Sequence, residues 1–287
     1  MIAENAYAKI NLVLDVTGRR PNGYHDVRMV MQTLDLHDTL EFSENNEGIK
    51  LTTDNEELNR ESEAGSDNLI VKAIHAISEY TGCSQNVTVK LTKRIPIAAG
   101  LAGGSADAAA TLRGLNKLFE LKLSDEELRN IGLTIGADVP FCISGGTQLS
   151  EGIGEVLTRL PKYKDMPVVI CKPNVNVSTK EVYEKFDAIE DVHHPNVDAM
   201  VSAIKGKKLS EIDKLVGNVL EQVTGTMYPE IGSIEKRLKK LGAQASIMSG
   251  SGPTVFALFD NYKQALTASE ILAIERPMDA VFATLTR

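Results

Sequence analysis

Between Pro96 and Leu112 the chain reads Pro-Ile-Ala-Ala-Gly-Leu-Ala-Gly-Gly-Ser-Ala-Asp-Ala-Ala-Ala-Thr-Leu, a glycine-bearing turn that runs directly into an alanine-rich helix. Such a junction turns backbone N–H groups toward one point with no side chains in the way, and the helix adds the positive end of its dipole. The chemistry it suits is the holding of an anion, above all a phosphate. Gly100, Gly103 and Gly104 permit positive φ and close backbone approach. Ser105 is expected at the helix cap, its hydroxyl available to a phosphate oxygen or to Mg²⁺. An ordinary glycine turn before a helix is the competing reading, with Asp107 merely complementing the dipole. The lysine of a Walker-type loop and the G-x-G-x-x-G of a dinucleotide fold are both missing here.

Holding phosphates is one part of phosphoryl transfer; the others are an aligned acceptor hydroxyl and neutralised charge on the transferring group. Asp138, in Gly136-Ala137-Asp138-Val139-Pro140-Phe141, can accept a hydroxyl proton. Its small and apolar neighbours would raise its pKa unless a cation lay close, and Lys9 is the candidate cation. The plainer readings are an Asx turn before Pro140 for Asp138 and a solvated strand face for Lys9.

The elements that must position these groups follow from periodicity. Ala8, Ile10, Leu12 and Leu14 alternate with Tyr7, Lys9, Asn11 and Val13 on a first strand, so Lys9 and Asn11 share a face. After the turn Pro21-Asn22-Gly23, strands are expected around Val27 to Leu34 and Thr39 to Phe42, followed by an acidic loop around Glu56 to Glu63. Ser66 or Asp67 is expected to cap a helix that Gly82 ends. A strand from Val87 to Leu91 leads into the glycine turn. Ser124 to Glu127 forms a capping box for a helix ending near Gly136, and two short strands are expected to meet at Gly145-Gly146. The segment Pro161 to Pro167 is the expected boundary between domains 1–160 and 161–287. Beyond it, strands Val168 to Cys171, Ala243 to Met248 and Thr254 to Phe259, the last two joined by Ser249-Gly-Ser-Gly-Pro253, suggest a smaller α+β domain.

A chain of 287 residues with 43% hydrophobic content can bury a substantial core. Its net charge of −8 and the lack of a long basic run argue against nucleic acid as a partner. Cys83, Cys142 and Cys171 fit neither a disulfide framework nor a zinc site, and no apolar run suits a membrane span. These features point to a cytoplasmic setting.

Three separated segments, Ala8-Lys9-Ile10-Asn11-Leu12, Pro96 to Ala109 and Ser249-Gly-Ser-Gly-Pro-Thr254, resemble in order the three motifs of the GHMP kinase superfamily. The resemblance implies a two-domain α+β fold: a ribosomal protein S5 domain 2-like N-terminal domain with the ATP loop, and a ferredoxin-like C-terminal α/β sandwich completing the substrate cleft. It implies a kinase using ATP and Mg²⁺, with Lys9 and Asp138 as the catalytic pair, converging near a terminal phosphate, and Asn11 beside them. ATP would be held by Pro96, Ile97, Ala98, Ala99, Gly100, Leu101, Ala102, Gly103, Gly104, Ser105 and Ala106, and its base or ribose by Asn68, unless Asn68 only starts a helix. Ser105 is the implied metal ligand.

The pieces Arg19-Arg-Pro-Asn-Gly-Tyr-His25, Asp67-Asn-Leu-Ile70 and Gly136 to Phe141 resemble members whose substrate is a cytidyl diphosphate sugar-alcohol. Tyr24 and His25 would bind cytosine, Tyr183 would close an aromatic sandwich with Phe186 as the neighbouring alternative, and Thr179 would join the substrate contacts. The expected assembly is a monomer or weak homodimer. The alternatives are another small-molecule kinase of the superfamily, such as homoserine or mevalonate kinase, and a non-catalytic sensor. Ala98, Ala99, Ala102 and Ala106 depart from the Gly- or Ser-rich pattern, and alanine does not adopt φ > 0 cheaply.

Overall fold

The computed structural model describes residues 1–55, 58 and 68–287. The expected caps Ser66 and Asp67, and the acidic loop around Glu56 to Glu63 apart from Leu58, lie outside the described residues. Two compact units are present. One comprises Met1–Ala8, Leu36–Ile97 and Ala102–Gly145; the other comprises Lys9–Asp35, Ala98–Leu101 and Gly146–Arg287. Strands β1 (Ile2–Arg19) and β2 (His25–Glu44) contribute residues to both.

The second strand corrects the expectation of two, since Val27 to Phe42 lies within one extended segment. The polar residues Asp35, His37 and Asp38 interrupt the apolar pattern without a turn. Asp38 is fully buried, and its carboxylate accepts hydrogen bonds from the backbone N–H groups of Arg94 and Ile95 and from Lys93 Nζ. A satisfied buried carboxylate leaves the chain no reason to turn toward solvent.

In the first unit, β3 (Lys50–Thr53) runs parallel to β4 (Val87–Thr92), which pairs antiparallel with Thr39–Glu44 of β2. Helix α1 (Leu69–Thr81) buries Ile70, Ala73, Ile74 and Ile77, and Gly82 ends it at φ 71°. Helix α2 (Gly103–Leu118) buries Ala108, Ala109, Leu112 and Leu115, and Gly114 admits the Phe42 ring where a Cβ would collide with it. Helix α3 (Asp125–Ile135) carries the expected capping box of Ser124 and Glu127. A short helix α4 (Val139–Ser144) stands where the first of two strands was expected. Pro140 near its start fits a first helical turn, and Gly145 at φ 60° ends it before β5 (Thr147–Glu151).

In the second unit, β5 pairs with Met29–Gln32 of β2 and with β6 (Val156–Arg159). Strands β7 (Pro167–Lys172), β9 (Ala245–Met248), β10 (Val255–Leu258) and β11 (Ala280–Leu285) form an antiparallel sheet ordered β11-β7-β10-β9, the ferredoxin-like order. The two-residue β8 (Gly217–Asn218) lies parallel to β1 at Val13 and Leu14. Helices α5 (Thr179–Phe186), α6 (Val197–Lys205), α7 (Leu209–Ile212), α8 (Glu221–Met227), α9 (Glu230–Lys240) and α10 (Tyr262–Glu275) complete the unit. Ile170, Phe256, Leu238 and Leu272 lie in its core. No described helix is long and apolar enough to cross a membrane.

Candidate active site

The loop before α2 takes its shape from alternating backbone hands. Ala98, Gly100 and Ala102 have φ of 49°, 70° and 56°, while Ala99 and Leu101 between them stay outside the left-handed region. Alternation of this kind gathers successive N–H groups into a concave anion nest. Positive φ therefore falls on two alanines, at a cost of about 1–2 kcal/mol each. Gly103 and Gly104 serve close approach instead: a Cβ at Gly103 would lie 3.0 Å from Ile95 Cγ2, and one at Gly104 would lie 3.3 Å from Leu69 Cδ1.

Ala102 occupies the cap position with no side-chain cap bond, which corrects the expectation that Ser105 caps α2. Ser105 is the third helical residue, half-buried, and a Cβ at Gly136 would lie 3.9 Å from its hydroxyl. Its Oγ thus faces the turn that leads to Asp138. Ala106 is buried against the core, and Pro96 and Ile97 are half-buried at the mouth of the loop.

Ala98–Leu101 belong to the second unit, which also holds a backbone partner for them. A Cβ at Gly100 would lie 2.5 Å from the Ser249 carbonyl oxygen and 3.0 Å from that of Gly252, and the Ser249 hydroxyl donates to the Gly100 carbonyl at 3.1 Å. The second glycine segment is therefore more than a hairpin between β9 and β10; it seats main chain on main chain. Asn218 fixes it by donating to the carbonyls of Met248 and Gly250 at 2.9 and 2.7 Å. That clamp had no signal in the sequence, because an asparagine after a glycine announces no partner.

Lys9 and Asn11 lie beside this contact. The Lys9 backbone N–H donates to the Leu101 carbonyl at 3.1 Å, and its Nζ donates to Asn11 Oδ1 at 2.8 Å. Lys9 is 5% exposed and Asn11 fully buried, which rules out the solvated-face reading of Lys9. Asn11 in turn donates from Nδ2 to Met29 Sδ.

Asp138 belongs to the first unit, at the cap position of α4, where its side chain makes no cap bond. In the same unit Lys93 Nζ lies between Asp38 Oδ2 and Asp107 Oδ2, the latter at 2.7 Å, and all three side chains are buried. Burial, together with Asp38, pushes Asp107 up to about 8 against the lowering pull of the Lys93 ammonium. Lys93 is itself raised: the two aspartates outweigh the burial that would lower it. Asp107 is thus a buried anchor of α2 and not a free dipole partner. Asn68 caps α1, its Oδ1 accepting from the Ile70 N–H at 2.9 Å.

Within the second unit, the His25 and Tyr183 rings stack with centroids 4.6 Å apart and planes 30° from parallel. Phe186, the alternative ring, is buried in the core. Tyr24 is 59% exposed at the turn before β2. Asp187, which follows α5, accepts from His25 Nε2 at 2.7 Å and pairs with Arg19 at 3.1 Å. Sequence reading passed over Asp187, although it lies four residues after Tyr183 and so on the same helical side. Thr179, the first residue of α5, meets the Ser251 hydroxyl at 2.8 Å.

The chain matches the model of the GHMP kinases N terminal domain over residues 68–146 and that of the GHMP kinases C terminal domain over residues 200–275. It is 50% identical over 266 residues to the 4-diphosphocytidyl-2-C-methyl-D-erythritol kinase of Lachnoclostridium phytofermentans, covering 92% of this chain and 90% of that protein. The enzyme of the same name from Bacillus pumilus is 48% identical over 258 residues, covering 90% and 88% of the two chains. A crystal structure of 4-(cytidine 5'-diphospho)-2C-methyl-D-erythritol kinase superposes over the full length of both chains with a TM-score of 0.83 and 30% identity. Homoserine kinase from Cytophaga hutchinsonii shares the fold at a TM-score of 0.77 and 19% identity, covering 99% of this chain and 94% of that one. With its motifs in order and its length matched end to end, the chain belongs to the 4-diphosphocytidyl-2-C-methyl-D-erythritol kinase family of the GHMP kinases.

Proposed function

We propose that this protein transfers the γ-phosphoryl group of ATP to the 2-hydroxyl of 4-diphosphocytidyl-2-C-methyl-D-erythritol. The observation that carries the reading is the meeting of the two glycine segments beside Lys9 and Asn11, which supplies a phosphate nest with a buried cation next to it. Homoserine and mevalonate need no aromatic nucleobase site, whereas His25 and Tyr183 form a ring pair suited to one.

In the reaction, the 2-hydroxyl oxygen forms a bond to the γ-phosphorus as the bond from that phosphorus to the β–γ bridging oxygen breaks, and ADP leaves. We assign the hydroxyl proton to the Asp138 carboxylate. The Lys9 ammonium, held by Asn11, is proposed to offset charge on the transferring group. The backbone N–H groups of 98 to 106 hold the ATP phosphates. Asn68 is proposed to reach the adenosine base or ribose through its amide N–H group, its Oδ1 being committed to the cap.

Among the described residues no three His, Cys, Asp or Glu side chains gather as a metal cage, so Mg²⁺ would arrive on the nucleotide phosphates, with the Ser105 hydroxyl as this chain's contribution. When bound it would neutralise phosphate charge. Tyr24, Tyr183, His25 and Thr179 are proposed to hold the cytidyl substrate. Residues 1–160 and 161–287 are proposed as the two domains; the matched family segments fall one in each. The net charge of −8 argues against nucleic acid as a partner, and small-molecule substrates, a cytoplasmic setting and a monomer or weak homodimer are proposed alongside.

An ADP-release assay over a substrate panel tests the reading. Turnover with the cytidyl substrate and none with homoserine or mevalonate is the expected result. Nucleotide binding with no ADP formed on any substrate would leave only a sensor.

A further inference from the structure

The end of α5 grips one imidazole in two ways. Tyr183 stacks on the face of His25, and Asp187, four residues later, accepts a hydrogen bond from its Nε2 at 2.7 Å. Asp187 uses its two oxygens separately, Oδ1 for His25 and Oδ2 for Arg19 at 3.1 Å. The His25 side chain is 9% exposed, so its ring is fixed between helix and strand and does not swing in solvent.

A carboxylate has no proton to give and only accepts. The hydrogen on His25 must therefore sit on Nε2, and in a neutral imidazole the other nitrogen, Nδ1, is then an acceptor. Cytosine and uracil differ at ring position 4, where cytosine carries an amino donor and uracil a carbonyl acceptor. A buried acceptor facing that position rewards the amino group and leaves two acceptors opposed if a carbonyl takes its place.

We propose that Asp187 is a positioning residue for nucleobase choice: it locks His25 in the Nε2–H tautomer, so that Nδ1 accepts from the amino group of a cytosine and rejects a uracil. Arg19 holds the carboxylate in place for that task. This rests on the reading of His25 as a base-binding residue. A mere staple between α5 and β2 would use the same bonds but would be indifferent to the base.

The test compares wild type, Asp187→Asn, Asp187→Glu and His25→Ala with the cytidyl substrate and its uridyl counterpart, at about pH 8, above the ordinary imidazole range. Asparagine can donate to Nε2 and so favour the opposite tautomer. Asp187→Asn is expected to raise KM for the cytidyl substrate about tenfold. It should lower the cytidyl-to-uridyl ratio of kcat/KM by about tenfold or more while kcat and KM for ATP stay within about twofold. Asp187→Glu should restore part of the ratio. Nitrogen-15 shifts of the wild-type ring should show a protonated Nε2 and a bare Nδ1.

A protonated Nδ1 in the wild type, or an unchanged base ratio in Asp187→Asn, overturns the proposal even if KM rises. His25→Ala with wild-type KM for the cytidyl substrate would instead overturn the base-site reading, and the proposal with it.

Discussion

Gly100 and Ser249 touch through their main chains. The Ser249 hydroxyl donates to the Gly100 carbonyl at 3.1 Å, while the Ser249 carbonyl occupies the space a Gly100 Cβ would need. Gly100 also has φ 70°, so both conformation and contact demand glycine. Replacement by alanine is expected to push the two segments apart, raising KM for ATP at least severalfold and lowering stability by about 2 kcal/mol, the left-handed cost with added crowding. Initial-rate kinetics and denaturant unfolding would show whether both shifts occur.

Asp138→Asn keeps size and removes the proposed base. Nucleotide and cytidyl substrate should bind nearly as in the wild type while kcat falls by about 10²–10⁴. Lys9→Met should lower kcat as well, and the double variant should lose far less than the product of the two single effects if the pair acts as a unit. Calorimetric binding alongside turnover separates the steps; wild-type turnover in Asp138→Asn would remove Asp138 from the mechanism.

Tyr24→Ala and Tyr183→Ala each remove a ring proposed to stack on cytosine. Stacking is worth about 1–3 kcal/mol per base, so KM for the cytidyl substrate should rise about five- to a hundredfold with KM for ATP little changed. Parallel rises in both constants would undo the assignment.

Lys93 separates two buried carboxylates in the first unit. Lys93→Met leaves them facing one another without a counter-ion and is expected to cost about 3–5 kcal/mol of stability. Asp107→Asn in the Lys93→Met background should recover part of that loss, which chemical denaturation would measure.

Glu235 in α9 offers a pH test. Burial and the neighbouring Glu221 carboxylate push Glu235 up to about 8 from its ordinary 4.5, with Lys239 and Lys236 opposing. Between those values the folded protein binds a proton that the unfolded chain has released, so stability falls as pH rises through this window and levels off above it. Glu235→Gln removes that titration and should shrink the drop in Tm between about pH 5 and pH 8.5. An unchanged drop would show that the slope has another source.

The glycine turn, the capping box at Ser124 and the order of the three motifs were legible from residue type alone, because backbone freedom, cap chemistry and periodicity are local properties. Where long-range contact decided the outcome, the sequence misled or was silent. Two strands were expected between Val27 and Phe42, and one formed, because Lys93 and two backbone N–H groups supply buried partners for Asp38. Ser105 looked like a cap until Ala102 took the left-handed conformation ahead of it. The resemblance already favoured Tyr183, and the structure adds that the alternative ring, Phe186, is buried in the core; Asp187 gained a partner only when His25 came within hydrogen-bond reach. The sequence by itself determined which chemistry the chain can carry. Tertiary structure alone decided which side chains are buried and which partners meet, because desolvation and hydrogen-bond pairing depend on neighbours brought together from distant parts of the chain.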